Sequence, residues 1–408
     1  MSGPSREDAV RRDAAGPMTS VRDRFVLPDG TVYLDGNSLG ALPRGVAERV
    51  REVVEDQWGQ QLISSWNAAG WIDLPRRVGA KIARLIGADA DEVVVTDSTS
   101  VNLFKLIVAA ARLRPDRRVI LIEPSTFPTD AYMAASVARM LGLELRWCDP
   151  GDPLAAVDDD TAVLCLTHVD FRTGRLFDAA TITRGVHDAG ALMLWDLCHT
   201  AGAVPIDLRG IDADLAVGCS YKYLNGGPGA PAYCFVARRL QDTIDQPLSG
   251  WFGHAEPFTM ARDYAPATGV ARLQSGSPVI VSLAALDAAL DAFDGVRPAD
   301  LRAVSVSLTS LFIELVQART DLEVVSPPVP EQRGSQVSLR HPQAYGVVQA
   351  LIARGVVGDF RTPDLARFGF APMYVRHVDV WDAVEHLVGV LQDREFDAPA
   401  YVNRAAVT

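Results

Sequence analysis

Six runs of consecutive apolar residues recur through the middle of the chain, and stretches with helical spacing separate them. The runs are EVVVT (92–96), RVILIE (118–123), AVLCLT (162–167), ALMLWD (191–196), LAVGCS (215–220) and AYCFV (232–236). Continuous apolar strands that alternate with helices, as at 101–112 and 130–141, are typical of a mostly parallel sheet covered on both faces. The sequence therefore predicts an α/β fold.

The chain changes character on either side of this region. Charged residues 1–20 are expected to form a mobile lead-in, and helical spacing follows over 44–60. Beyond about residue 290, helical segments enclose short strands; the helices are expected at 300–320, 344–354 and 381–392, and the strands near SQVSLR (335–340) and GVVGDF (355–360). The predicted division is an N-terminal segment (1–50) that contributes to the active site and the small domain, a large domain (51–290) and a small C-terminal α/β domain (291–408).

Composition narrows the class of partner and the compartment. The net charge of −12 argues against a nucleic-acid partner, because phosphate contacts need clustered Lys and Arg. No segment resembles a secretory signal or a membrane span. The five cysteines form no C-x-x-C pair, so no metal site is expected, and their odd number suits a reducing compartment. We expect a cytoplasmic protein without a membrane or nucleic-acid partner.

The chain has only three lysines, and one of them differs from the others. Lys81 and Lys105 fit amphipathic helices, where a lysine is usually solvated or extends its amine to water. Lys222 follows an apolar strand and precedes the glycine-rich YLNGGPGAP, which lets a bulky ligand approach the backbone. Ligands of open parallel sheets bind beyond the carboxyl ends of the strands. Lys222 is therefore the candidate for lysine chemistry.

Two further polar residues follow a predicted strand in LMLWD. Asp196 ends the strand, and opposite a pyridine nitrogen it would keep a cofactor ring protonated. Its alternative role is to cap the following helix. His199, three residues on, is placed to contact a cofactor or substrate, and its alternative role is structural.

A Ser/Thr cluster, DSTSVNLFK, opens the helix at 101–112. Free N–H groups and the helix dipole favour a phosphate there, with Thr99 and Ser100 as its ligands, and ordinary N-capping is the alternative. Phe127, next to a proline in a loop, favours stacking on a ring over a place in the core.

These segments, in this order, resemble fold-type-I pyridoxal-phosphate (PLP) enzymes of the aminotransferase class V group, and within it the kynureninase family. The resemblance runs from about Tyr33 to His386. The motifs that carry it are YLDGNSLG (33–40), STSVNLFK (98–105), FPTD (127–130), WDLCHTAGAVPIDL (195–208), CSYKYLNGGPG (219–229), SGWFGH (249–254), SGSP (275–278) and RFGFAPMY (367–374).

The resemblance implies a seven-stranded, mostly parallel sheet in the large domain, which would bind PLP, and it implies a homodimer. Lys222 would carry PLP as a Schiff base, Asp196 would pair with the pyridinium, and Tyr221 would exchange protons. The implied cofactor ligands are Thr99, Ser100, Phe127, Asp130, Thr167, Asp196, His199, Tyr221, Lys222, and, from the second subunit, Trp251 and Ser277. Arg367 would bind the substrate α-carboxylate in a bidentate way. Further implied substrate contacts are Trp66, Ser38, Asn37 and Gly276.

The activity that the resemblance implies is the hydrolytic cleavage of the Cβ–Cγ bond of L-kynurenine to anthranilate and L-alanine. That reaction belongs to tryptophan degradation along the kynurenine pathway, which also serves NAD biosynthesis. Trp66, Gly276 and Ser277 resemble the bacterial type, which prefers L-kynurenine to its 3-hydroxy form.

Two alternatives remain open from the sequence. The first is another PLP enzyme of this fold, such as a cysteine desulfurase, although the only cysteine after Lys222 is Cys234 in an apparent strand. The second is a catalytically silent structural homologue.

Overall fold

The structure is a computed structural model that describes residues 4–401 and residue 404. Its N-terminal part consists of short elements ahead of the main sheet. They are α1 (Arg6–Ala15), β1 (Phe25–Val26), β2 (Val32–Tyr33), β3 (Leu42–Pro43), α2 (Val46–Glu52), α3 (Ser65–Ala68) and α4 (Leu74–Leu85). A π-helical segment, Val53–Gln61, continues α2, so the helical spacing at 44–60 is confirmed.

The prediction of a mobile lead-in over residues 1–20 is wrong for the described residues, because α1 is a capped and packed helix. Ser5 and Asp8 form a capping box at its start, which satisfies two backbone N–H groups reciprocally. Arg6 of α1 forms an ion pair with Asp382. The Ser-x-x-Asp spacing was the sequence signal for this helix.

A seven-stranded sheet forms the centre of the molecule. Its strands are β4 (Val93–Val95), β5 (Val119–Ile122), β6 (Glu144–Trp147), β7 (Thr161–Thr167), β8 (Leu192–Asp196), β9 (Leu215–Gly218) and β10 (Tyr233–Val236). They lie in the order β4-β10-β9-β8-β7-β5-β6. Only β10 runs antiparallel to its neighbours, so the expectation of a mostly parallel sheet is confirmed.

Helices cover both faces of this sheet. They are α5 (Thr99–Leu113), α6 (Pro128–Leu141), α7 (Ala179–Asp188), α8 (Arg238–Gln241) and α9 (Ile280–Leu290). Successive strand residues point to opposite faces, so Val93 and Val95 join one apolar core while Val94 joins the other. Burial on both faces explains why these strands are continuous apolar runs.

The C-terminal part is a smaller α/β layer. It consists of α10 (Pro298–Arg319), β11 (Glu323–Val324), β12 (Gln336–Arg340), α11 (Ala344–Ala353), β13 (Val356–Val357), β14 (Asp359–Arg361), β15 (Leu365–Gly369) and α12 (His377–Gln392). An antiparallel sheet has the order β11-β12-β15-β14. Separately, β13 pairs with β2 in parallel, which joins the N-terminal segment to this layer.

Within residues 4–401, no helix has both the length and the apolar character needed to cross a bilayer.

Candidate active site

Lys222 lies in the loop beyond β9, where its amine meets a histidine and two aromatic rings. Its Nζ is 2.9 Å from His199 Nε2 and 5.9 Å from the ring centroids of both Phe127 and Tyr221. The salt bridges of the described lysines belong to Lys81 and Lys105, so Lys222 has no carboxylate partner. The amine is therefore free to react.

Two glycine contacts fix the lysine loop against the N-terminal segment. The Gly40 backbone N–H donates to the Tyr221 carbonyl at 2.8 Å. A Cβ at Gly40 would lie 2.3 Å from the Lys222 carbonyl oxygen, so only glycine permits this close approach. The segment 33–40 therefore forms one wall beside Lys222.

His199 is a buried, neutral histidine held by Gln336. Its Nδ1 lies 3.0 Å from Gln336 Oε1, while Gln336 Nε2 donates to the Phe171 carbonyl at 2.9 Å. This arrangement places the proton on Nδ1, so Nε2 accepts a hydrogen bond from Lys222. Burial, and then the charge of Lys222, hold the pKa of His199 well below its usual value. His199 therefore orients the amine without competing for its proton.

Asp196 and Asp130 form a buried pair of carboxyl groups. Asp196 ends β8 and accepts from the Cys198 backbone N–H at 2.7 Å. Asp130, in the first turn of α6, accepts from the Thr126 hydroxyl at 3.1 Å and shares a hydrogen bond with Asp196. Burial, and then the charge of Asp196, raise the pKa of Asp130 well above its usual value. One of the two groups therefore keeps a proton.

The start of α5 lies on another side of this pair. Ser98 caps the helix by accepting from the Val101 N–H, which leaves Thr99 and Ser100 in the first turn. Thr99 Oγ1 is 3.9 Å from the Cys198 Sγ, beyond the Asp196 strand. The Ser/Thr cluster thus combines a helix cap with half-buried first-turn groups.

Thr167, the last residue of β7, pairs in register with Asp196 and donates to the Val169 carbonyl at 3.1 Å. Phe127 immediately precedes α6 and is 45% exposed, so one face of its ring is open. It forms an edge contact with Phe171, whose centroid is 5.3 Å away.

Arg367 lies in a buried network beside Phe171. Its Nε donates to Asp359 Oδ1 at 2.8 Å, its Nη2 donates to Ser38 Oγ at 2.9 Å, and its Nη1 donates to the Phe171 carbonyl at 2.6 Å. Arg361 forms an ion pair with the same Asp359 at 2.6 Å, and its side chain is 34% exposed. Although burial raises the pKa of Asp359, the charges of the two arginines hold it below the usual value.

Asn37 is a fully buried residue of the segment 33–40, next to this network. Neither its Oδ1 nor its Nδ2 has a hydrogen-bond partner. A Cβ at Gly369 would lie 2.0 Å from Asn37 Oδ1, so glycine at that position makes room for the amide. An unsatisfied buried amide is costly unless a ligand supplies its partners.

The other expected residues form a separate aromatic surface. Trp66 contacts Phe252 with centroids 6.0 Å apart, and Trp251 contacts the same ring at 5.1 Å. Gly276 and Ser277 are exposed in the loop ahead of α9. No hydrogen bond, ion pair or ring contact joins this surface to Lys222 within the described chain.

Sequence reasoning missed Gln336, Asp359 and Arg361. Gln336 contacts His199 across 137 positions of sequence, a pairing that no local pattern announces. Asp359 and Arg361 are two residues apart on β14, so their side chains point to the same face of the sheet. That spacing in GDFR was the available signal.

The expectation of a solvated Lys105 is wrong. Its side chain is 0% exposed, with an ion pair to Asp97 and a hydrogen bond to the Leu273 carbonyl. An amphipathic pattern cannot distinguish a lysine that extends to water from one that meets a buried carboxylate.

Cys234, the cysteine beyond Lys222, is not suited to sulfur transfer. All five cysteines are free and buried. Burial raises the pKa of Cys234, inside β10, to about 12. A thiol that remains protonated in a strand is a poor nucleophile.

Comparison with solved structures identifies the fold. The apo cysteine desulfurase of Thermococcus onnurineus NA1 superposes with a TM-score of 0.76 and 18% identity, over 92% of this chain and 97% of that one. A C-DES variant with glycine covalently linked to its PLP cofactor also superposes with a TM-score of 0.76, at 16% identity, over 92% and 99% of the chains. The expected fold-type-I architecture is confirmed, and identities this low show the fold alone.

Comparison of sequences identifies the family. Kynureninase of Burkholderia mallei (strain SAVP1) is 51% identical over 414 residues, which span 99% of this chain and 100% of that protein. Kynureninase of Pseudomonas fluorescens is 48% identical over the same shares. The family model of the kynureninase C-terminal domain matches residues 301–387. The chain belongs to the kynureninase family.

Proposed function

We propose that this chain is a PLP-dependent kynureninase, which uses water to cleave L-kynurenine into anthranilate and L-alanine. The observation that carries the proposal is the 51% identity to a curated kynureninase over the whole chain. Cysteine desulfurase is not favoured, because the cysteine desulfurases of Thermococcus onnurineus NA1 and Escherichia coli are only 18% and 19% identical to this chain, and all five thiols are buried.

The residues around Lys222 fit PLP. An amine without a carboxylate partner suits the aldehyde, and the exposed face of Phe127 suits an aromatic ring. Asp130 keeps a proton in this buried site, and the neighbouring Asp196 is the group that would face a protonated ring nitrogen. The first turn of α5, with Thr99 and Ser100, suits a phosphate. Thr167 would line the ring side, and Tyr221, Trp251 and Ser277 would complete the phosphate site.

PLP, when bound, supplies an electron sink that makes the substrate Cα proton acidic. Lys222 Nζ would remove that proton, because it is the amine that becomes free when the substrate amine takes its place. His199 would keep Nζ oriented through its neutral Nε2. Burial raises the pKa of Tyr221 well above its usual value, so its hydroxyl would act as a proton donor. Asp196 would accept a hydrogen bond from the ring N–H and so keep the ring protonated.

Arg367 would bind the α-carboxylate of the substrate. Asp359, Ser38 and the Phe171 carbonyl engage four of its five N–H donors, so the guanidinium is held rigidly in place and offers one N–H to the carboxylate, not the bidentate pair that the resemblance implies. Asn37 would supply its unsatisfied amide to the same end of the substrate. The positive charge of Arg361 balances the negative charge of Asp359 when the substrate carboxylate binds beside it.

The Trp66–Trp251 surface supports a homodimer with active sites at the subunit interface. Trp251, Gly276 and Ser277 would reach the partner's site from it. Exposed apolar side chains continue this surface at Phe258 and Ile63, which are 63% and 80% exposed. A surface of this kind is typical of an interface.

The cellular location and the division into domains are also part of the proposal. We propose a cytoplasmic location, which the five free thiols support. We also propose the division into segments 1–50, 51–290 and 291–408, supported by the pairing of β2 with β13. Positions 1–3, 402–403 and 405–408 lie outside the described residues.

The direct test is a steady-state assay of the purified protein with PLP, in which anthranilate fluorescence is followed after addition of L-kynurenine. Wild type is expected to release anthranilate, and Lys222→Ala is expected to lose roughly a thousandfold or more of kcat. Sulfide release from cysteine, or a protein that PLP does not tint, would refute the proposal in favour of a desulfurase or a silent homologue.

Substrate preference needs a parallel assay. With Trp66, Gly276 and Ser277 as in the bacterial type, kcat/KM is expected to be higher for L-kynurenine than for 3-hydroxykynurenine. The reverse order would show that these positions do not set the preference.

A further inference from the structure

Lys105 is a buried cation that bridges two segments of the chain. Its side chain is 0% exposed, and its amine donates to the Asp97 carboxylate and, at 2.6 Å, to the Leu273 carbonyl. A buried charge is costly unless its partners compensate it fully. Its place in the apolar middle of α5, beside Leu106 and Ile107, therefore calls for a role.

The Asp97 end of the bridge fixes the turn that starts α5. Asp97 has a left-handed φ of 50°, which is uncommon for a residue other than glycine. Its carboxylate also accepts from the Thr96 hydroxyl at 2.9 Å, and its carbonyl accepts from the Ala232 N–H at 2.8 Å. The next residues are Ser98, Thr99 and Ser100, so the turn sets where their donors point.

The Leu273 end fixes a different segment. Leu273 is fully buried, and the chain continues through Gln274 to the exposed loop that holds Ser277. A Cβ at Gly250 would lie 2.1 Å from the Ser275 carbonyl, so the Trp251 loop packs directly on this stretch. The Phe252 N–H donates to the same carbonyl at 3.3 Å.

We propose that Lys105 is a positioning residue for the cofactor phosphate, because it ties the turn that carries Thr99 and Ser100 to the segment that carries Trp251 and Ser277. In a homodimer those two segments serve different active sites, so the bridge links one phosphate site to its neighbour. The inference rests on the proposed function, and it adds a residue that contacts neither substrate nor cofactor.

The test compares the binding of PLP with that of pyridoxal, which has the same ring and aldehyde but no phosphate. In Lys105→Met, the dissociation constant for PLP is expected to rise about ten- to a hundredfold, as for the loss of a charged hydrogen bond. The constant for pyridoxal is expected to stay within about twofold of wild type, because Lys222 and Asp196 are unchanged. Visible absorbance of the bound cofactor reports both constants.

Matched variants separate positioning from stability. Lys81→Met removes a lysine that also bridges two carboxylates, Asp287 and Asp291, and is expected to leave the ratio of the two constants unchanged. Lys105→Arg is expected to restore part of the PLP affinity. If Lys105→Met fails to fold, Asp97→Asn breaks the same ion pair and is read in the same way.

Equal loss of PLP and pyridoxal binding in the variant, or no loss of either, would overturn the role assigned to Lys105. The wild-type arm tests the proposed function separately, because a wild type that binds neither compound refutes that function whatever the variants do.

Discussion

At the scale of single residues, Asp35 is the carboxyl group beside the arginine network that the sequence did not single out. One of its oxygens is buried without a partner. Burial, and then the negative charge of Asp359, raise its pKa to about 7. Other charged or titratable groups that face this cluster are Arg361, Arg367, Tyr33, Tyr223 and Tyr374. Asp35 therefore keeps a proton through most of the acidic range.

This raised pKa sets the sign of a pH effect on stability. The folded chain holds the Asp35 proton more tightly than the unfolded chain, whose carboxyl has the ordinary pKa of 3.8. The free energy of unfolding is therefore expected to fall as pH rises from about 4 to about 7, by at most about 1.4 kcal/mol per pH unit from this group. Asp35→Asn is expected to remove the contribution of this group to the pH dependence, which urea unfolding at pH 5 and pH 7 measures.

Glu123 provides an independent comparison, because burial also raises its pKa to about 7. It lies at the end of β5, where Ser125 donates to it at 2.9 Å. Glu123→Gln is expected to remove its own share of the slope independently of Asp35→Asn. An unchanged slope in Asp35→Asn would contradict the protonated state assigned to Asp35.

The residues found from the sequence are those whose role shows in local context. Lys222 and Asp196 were predicted because polar groups at strand ends gather at one edge of a parallel sheet. Arg367 was assigned by family resemblance alone, since nothing in RFGF marks a ligand. Gln336 became visible only through its contact with His199, which depends on how the two sheets pack, whereas Asp359 is the cross-strand neighbour of Arg367 within the small sheet.

At the scale of elements, β6 is the strand of the seven-stranded sheet that the sequence did not reveal. Strand β6 borders the sheet and carries Glu144 and Arg146 between half-buried and exposed apolar residues, so it lacks the continuous apolar run of its neighbours. Buried strands were predicted because both faces are covered. An edge strand with one open face does not obey that pattern.

Helix α1 is expected to stabilise the helix it packs on. Asp13, near its end, accepts from the backbone N–H groups of His377 and Val378 at 2.7 and 3.0 Å, which caps the start of α12. Asp13→Ala is expected to lower the free energy of unfolding by about 1–2 kcal/mol, the cost of a lost cap.

Urea unfolding measures that change, and kcat is expected to stay at its wild-type value. Glu7→Ala, on the exposed face of the same helix, serves as the control and is expected to shift stability by less than about 0.5 kcal/mol. Equal effects of the two substitutions would show that α1 does not cap α12.

At the scale of the whole molecule, the exposed apolar surface around Ile63 and Trp251 is the feature that one chain leaves unexplained. Ile63 is 80% exposed, and its neighbours Leu62 and Trp58 are 61% and 59% exposed. Apolar side chains exposed to water do not stabilise a single chain. A symmetric interface buries these side chains in both copies and so stabilises the dimer.

Ile63→Asp is expected to raise the dimer dissociation constant roughly a hundredfold or more, because each copy loses an apolar contact and buries a charge. Sedimentation velocity over a dilution series measures the shift, and activity is expected to fall with it. Val10→Asp, on the exposed side of α1, is the control. A wild type that is monomeric and fully active would contradict a shared active site.

The central claim is that one lysine of three carries the cofactor, and a single measurement tests it. The PLP-loaded protein is reduced with borohydride, digested, and mapped by mass spectrometry for the pyridoxyl-phosphate mass on each lysine peptide. The label is expected on Lys222, whose amine has no carboxylate partner. Label on Lys81 or Lys105 instead, or on no lysine at all, would contradict the site described around Lys222.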